Sequence, residues 1–165
     1  MKGKVIVFTG DGKGKTTAAF GCALRAAGHG KRVVIVQFMK ARKSGETMIK
    51  VDNITIAIFG KKSFVFDADK EDFEMAERAM EFARKAIKEK PFMLILDEIN
   101  VAIDKNLVKI EDLIELLNER EKTNIILTGR NARKEIIEIA DIVTEMKNIK
   151  HYYEKTKETI EGIEY

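Results

Sequence analysis

The chain holds one cysteine, one proline and no tryptophan among its 165 residues. With Cys22 as the lone thiol there can be no intrachain disulfide, so a small disulfide-stapled scaffold is excluded and a reducing compartment is expected. No apolar run approaches the ~20 residues that a bilayer-spanning helix needs. Nor is there an excess of one charge: thirty basic residues against twenty-seven acidic ones leave +3, too balanced to suggest a nucleic-acid surface. These absences lead us to expect a cytoplasmic protein that engages neither membrane nor nucleic acid. What is present is a 45% hydrophobic composition and enough length for one well-packed domain over residues 1–165.

The most informative stretch is Thr9-Gly10-Asp11-Gly12-Lys13-Gly14-Lys15-Thr16-Thr17. Before it stands Val5-Ile6-Val7-Phe8, short and β-branched as a buried strand should be, and after it residues 17–27 have helical, alanine-rich composition. A strand emptying through glycines into a helix N-terminus makes an anion site. Glycines let the backbone wrap a phosphate, and the free N–H groups and helix dipole attract it. Lys15 then supplies a full charge to the phosphates and the Thr16 hydroxyl is placed to bind Mg²⁺. One departure from the G-x-x-x-x-G-K-[ST] pattern is Thr9 where glycine is usual, with Gly10 one place late. Two other readings are a plain Gly/Lys-rich turn and a dinucleotide fingerprint, although the latter lacks the G-x-G-x-x-G spacing and gives Lys15 no task.

Further along, continuous apolar runs at 32–38, 54–59, 92–97, 124–128 and 141–146 read as strands, the last as a central one. Helical patterns occupy 69 to about 88, a segment through Ile110, Leu113, Ile114 and Leu117, and about 133–140. In the longest helix Phe73, Ala76, Met80, Ala83 and Ile87 form one expected core stripe, with Asp67 or Asp69 as the cap. Residues 39–53 are polar and Lys-rich and read mostly as loop. Alternating strands and helices of this kind predict an α/β fold of three layers, a mostly parallel sheet covered on both faces. Ligands bind such sheets beyond the carboxyl ends of the strands. The glycine-rich loop, Gln37, Asp97-Glu98 and Thr128-Gly129-Arg130 all follow strands and should therefore meet at one edge.

The acidic pair completes a nucleotide signature. An apolar strand ending in Asp97-Glu98 beside a phosphate loop supplies hard oxygen ligands, which with phosphate oxygens and water suit Mg²⁺. Taken alone, the pair reads equally as a helix cap or a surface pair. Up to this point the residues say ATP or GTP binding, with hydrolysis or phosphoryl transfer as the common outcomes.

More of the chain narrows this. The loop through Gly21, Arg25-Ala26-Ala27-Gly28-His29-Gly30-Lys31, Val36-Gln37-Phe38, Leu96-Asp97-Glu98-Ile99-Asn100, Leu127-Thr128-Gly129-Arg130, Val143-Thr144-Glu145-Met146 and the tail from Lys150-His151-Tyr152 to Gly162-Ile163-Glu164-Tyr165 together closely resemble the phosphate-loop type of ATP:corrinoid adenosyltransferase. The shifted glycine is that family's own form. The resemblance implies a P-loop NTPase-like (RecA-like) fold and transfer of the 5′-deoxyadenosyl group of ATP to cobalt(I) of a reduced corrinoid, with release of triphosphate. It also implies Mg²⁺, replaceable by Mn²⁺, an electron-donating reductase as partner, and a homodimer.

By the same resemblance, Gly10, Asp11, Gly12, Lys13, Gly14, Lys15, Thr16 and Thr17 hold the triphosphate, Arg25 and Arg130 help hold ATP, and Thr16 and Glu98 are metal-binding positions with Asp97 close by. Lys15 also neutralises charge growing on the leaving group. The family's Gly-Phe-Thr-Trp, whose aromatics press on the corrin, corresponds to Ser63-Phe64-Val65-Phe66, so Phe64 and Phe66 are expected to take that catalytic role; alternating aromatics also suit an edge strand. Ala41 replaces a glycine usual after the Gln-Phe-x-Lys run. Longer members carry an N-terminal arm over the corrinoid, whereas this sequence opens at its first strand, so any cover is expected from a partner subunit or from residues 39–53. An ATPase or small-molecule kinase and a non-catalytic ATP- or corrinoid-binding protein are the alternatives.

Overall fold

The computed structural model describes residues 1–40, 44–61 and 68–165. Phe64 and Phe66, with Ala41, Ser63, Val65 and the alternative cap Asp67, lie outside the described residues. Along the chain run β1 (Val5–Thr9), α1 (Lys15–Gly28), β2 (Val33–Phe38), α2 (Gly45–Met48), β3 (Ile54–Phe59), α3 (Lys70–Lys88), β4 (Met93–Asp97), α4 (Ile99–Asp104), α5 (Ile110–Asn118), β5 (Asn124–Thr128), α6 (Lys134–Ile139), β6 (Ile142–Glu145) and α7 (Tyr153–Thr156). The strands form one sheet in the order β3-β2-β4-β5-β1-β6, and every pairing is parallel. This is the α/β layering that the alternation of strand and helix runs predicts, in the P-loop NTPase-like architecture that the resemblance implies.

Strand alternation sorts the core into two layers. Val34, Val36, Leu94, Leu96, Ile125 and Leu127 face α3 to α6, while Val33, Ile35, Ile95 and Ile126 face the alanine-rich side of α1. Because β2, β4 and most of β5 are buried along their whole length, they read as unbroken apolar runs.

The long helix α3 starts where Asp69 accepts the N–H groups of Glu71 and Asp72, and Asp72 reciprocates toward the Asp69 N–H. Its buried residues are Asp72, Ala76, Ala79, Met80, Ala83, Ala86 and Ile87, so the expected core stripe holds at Ala76, Met80, Ala83 and Ile87, whereas Phe73 is 47% exposed. The alanines let the helix lie close on the sheet, and in its first turn Asp72, not the larger Phe73, is the buried residue. A second correction concerns β6. It pairs with β1 at the end of the sheet, and all four of its residues are exposed, so it is an edge strand and not a central one. Apolar periodicity does not distinguish an edge from a centre.

Candidate active site

All the polar residues picked out after strands lie at the carboxyl edge of the sheet, where β1 delivers the glycine-rich loop to α1. Gly10 and Gly14 adopt φ of +96° and +115°, conformations that other residues rarely take. The unusual spacing therefore has a local reason. Thr9 completes β1 and accepts a hydrogen bond from the Ala132 N–H at 3.3 Å, and the left-handed turn comes one residue later. Gly14 serves as the N-cap of α1, so the loop ends where the free N–H groups of the helix begin.

Lys15 is buried, and its ammonium donates to the carbonyls of Gly10 at 2.8 Å and Gly12 at 2.7 Å. Burial lowers its pKa, while the nearby charges of Glu98, Asp11 and Asp97 oppose that shift and Arg130 adds to it. The loop lysine thus stands in one electrostatic field with both strand-end carboxylates and with Arg130. The guanidinium of Arg130 also lies 3.9 Å from the Asp11 carboxylate.

Asp97 is the hub. Fully buried, it accepts four hydrogen bonds: Oδ1 from the hydroxyls of Thr16 (2.9 Å) and Thr128 (2.6 Å), Oδ2 from the Gln37 amide (3.0 Å) and the Lys40 ammonium (2.7 Å). An ionised carboxylate offers about four acceptor positions, so these donors use its capacity. Lys40 also approaches the Thr16 hydroxyl at 3.3 Å. Burial works against the charge on Lys40, but the carboxylate of Asp97 outweighs it and raises the lysine above its ordinary value.

Glu98 differs sharply from its neighbour. It sits at φ +66°, a strained conformation for a residue with a Cβ, and its N–H donates to Thr128 Oγ1 at 2.9 Å. Burial, then the charge of Asp97, push its carboxyl above the usual carboxylate range, with Lys40, Lys15 and Arg130 pulling the other way. Immediately beyond, Asn100 on α4 donates to the Gly129 carbonyl at 3.2 Å and ties the β4 and β5 loops together.

Of the residues expected in the site, the structure brings together the loop from Gly10 to Thr16, Asp97, Glu98 and Arg130. Thr17 is exposed on the first turn of α1. Arg25 is exposed on the last turn of the same helix, ten residues beyond Lys15, or about 15 Å along the axis, and does not join the cluster. Sequence reasoning missed the role of Lys40. The signal available was its position two residues beyond β2 at the carboxyl edge, hidden by the other lysines of the following loop.

The whole chain, residues 1–165, matches the family model described as ATP:corrinoid adenosyltransferase BtuR/CobO/CobP. Among curated proteins it is 38% identical to a corrinoid adenosyltransferase of Sinorhizobium sp, over 99% of this chain and 81% of that protein. It is 34% identical to the corrinoid adenosyltransferase of Escherichia coli (strain K12), over 99% of this chain and 86% of the relative. The corrinoid adenosyltransferase CobA of Salmonella typhimurium gives the same identity and coverage. Agreement of this kind along the full length, on a parallel sheet whose carboxyl edge carries the glycine loop and its acidic partner, shows that the chain belongs to the ATP:corrinoid adenosyltransferase family.

Proposed function

We propose that this enzyme transfers the 5′-deoxyadenosyl group of ATP to the cobalt of a reduced corrinoid and releases triphosphate. The observation that carries the reading is the bond from the Thr16 hydroxyl to Asp97 directly beside Lys15, which ties the phosphate loop to the acidic end of β4. In the reaction cobalt(I) of the substrate donates an electron pair to the ribose C5′, the C5′–O bond breaks, and that oxygen leaves with its electrons on the triphosphate. The protein supplies no nucleophile. Its residues hold the triphosphate, stabilise the charge developing on the leaving oxygen, and keep the two substrates aligned.

The loop from Gly10 to Thr17 cradles the phosphates, and Lys15, with two of its three donor positions held by loop carbonyls, directs charge at them. Arg130 reaches the same phosphates from the end of β5, and Arg25 is assigned to ATP on resemblance alone. Mg²⁺, or Mn²⁺, fits the donor set: the Thr16 hydroxyl donates to Asp97 and accepts from Lys40, which leaves one oxygen lone pair for a hard cation, and Glu98 adds a carboxylate. With its oxygens taken by four donors, Asp97 acts as the support that orients Thr16. When bound, the metal neutralises part of the triphosphate charge. Phe64 and Phe66 are assigned to the corrin face. The enzyme works as a cytoplasmic homodimer supplied with electrons by a separate reductase.

Incubation with ATP, Mg²⁺ and chemically reduced corrinoid, followed by anion-exchange analysis, tests the reading. Triphosphate together with an adenosylated corrinoid is expected; ADP would point to a phosphoryl-transfer enzyme, and unchanged ATP to a binding protein.

A further inference from the structure

The segment after β6 begins as the floor of the phosphate loop. The Gly12 N–H donates to the Met146 carbonyl at 2.7 Å, and the Met146 N–H to the Thr9 carbonyl at 2.8 Å. A Cβ on Gly12 would stand 2.7 Å from the carbonyl carbon and oxygen of Lys147, so loop and segment meet backbone to backbone. The chain then passes through α7 and returns. Its penultimate residue, Glu164, places Oε2 at 3.3 Å from the Lys13 ammonium, accepts the Tyr152 hydroxyl on Oε1 at 3.0 Å, and lies 3.5 Å from His151 Nε2. The Glu164 side chain is only 18% exposed. Burial pushes its carboxyl up, but the bonds from Tyr152 and Lys13 outweigh burial and hold it below the ordinary range.

We propose that residues 146–165 form a brace for the phosphate loop, and that Glu164 is a positioning residue that acts on bound ATP through Lys13. A loop with few contacts opens locally at little cost, whereas one held in its binding shape loses less freedom when the ligand arrives. Here the floor at Met146 fixes Gly12 and the carboxylate fixes Lys13, so two successive loop residues are anchored by one returning segment. This inference rests on the reading of the loop as the triphosphate site.

The full-length wild type, Glu164→Gln and Tyr152→Phe proteins are compared by equilibrium dialysis against ATP with Mg²⁺, by hydrogen exchange of amides 10–14, by steady-state kinetics and by thermal unfolding. Glu164→Gln should weaken ATP about tenfold, as loss of a charge-assisted bond does. It should raise KM while kcat at saturating ATP and Tm stay near wild type, and loop amides should exchange faster. Tyr152→Phe, which removes one bond to the carboxylate, should show a smaller change in the same direction. Combined with Lys13→Ala, Glu164→Gln should add nothing. Unchanged ATP affinity and loop exchange, tighter ATP binding because Glu164 merely competes for Lys13, or additive losses in the double variant would each overturn the brace. If the wild type itself bound no ATP, the functional reading would fail, while the loop exchange rates would still decide the brace.

Discussion

The two ends of the sheet treat charge in opposite ways. At the carboxyl ends Asp97 is fully buried and shared among Thr16, Thr128, Gln37 and Lys40. At the amino ends the charges are more exposed: both partners of Arg32–Glu89 at 2.6 Å and of Lys90–Glu121 at 2.9 Å are at least 44% exposed, and even Asp141, bound by Lys4 and the Val5 N–H, is 30% exposed. Yet the amino end holds a shallow hollow of about 630 Å³ lined by residues such as Lys2, Ile87, Asn118 and Lys122. Its walls are surface lysines, glutamates and a few apolar side chains, without converging buried donors. Buried, shared charge is costly and persists where chemistry needs it, so it marks the site better than hollow volume does.

The comparison is broken most severely at Lys15. Lys15→Ala should lower turnover by roughly two to three orders of magnitude, as loss of a group stabilising a leaving oxygen does, measured as triphosphate release. Near-normal turnover would remove the loop from the site. Next is Lys40→Met, which leaves Asp97 without its counter-charge. A loss of about 3 kcal/mol is expected in urea unfolding, because an unpaired buried carboxylate remains. A change under 1 kcal/mol would mean that the threonine and glutamine donors suffice.

Smaller effects sharpen the contrast by separating exposure from location. Asp69 caps α3 and binds Lys61, but it is exposed. The bond from Lys61, then those from the backbone of α3, lower its pKa, so the unfolded chain binds the extra proton. Its contribution is present above the ordinary aspartate pKa, near pH 4, and is lost as pH falls through the lowered value. Asp69→Asn should therefore lower Tm at neutral pH and leave it nearly unchanged in acid, where the carboxylate is already protonated, so that the acid side of a Tm-against-pH curve flattens. At the amino end, Arg32→Ala should alter stability by no more than about 0.5 kcal/mol, within the range of exposed pairs; a larger loss would erase the difference between the two ends.

Much of this was legible in the sequence because strand and loop signals are local. Residues 54–59 and 124–128 form strands with the predicted bounds, and the glycine loop and Asp97-Glu98 announce themselves by spacing. What escaped is what depends on distant contacts. The helix α4 follows β4 after a single left-handed residue, Glu98, and six residues are too few to display a helical period. Exposure of Phe73 depends on how the first turn of α3 meets the sheet, and the edge position of β6 on strand order, which apolar patterning does not encode. Lys40 looks like any solvated lysine until β2 and β4 are paired and Gln37 lies beside Asp97.

The interior position of β1 also bears on how the molecule is made. Its neighbours are β5 and β6, with Val5 opposite Ile125 and Ile6 opposite Ile142, so the first of these six strands to be synthesised is seated between the last two of the six. During translation β1 must wait, unpaired, until β5 and β6 have left the ribosome, and such long-range closure is slow. A stalled or shortened nascent chain would hold every residue of the glycine cradle and still have no cradle.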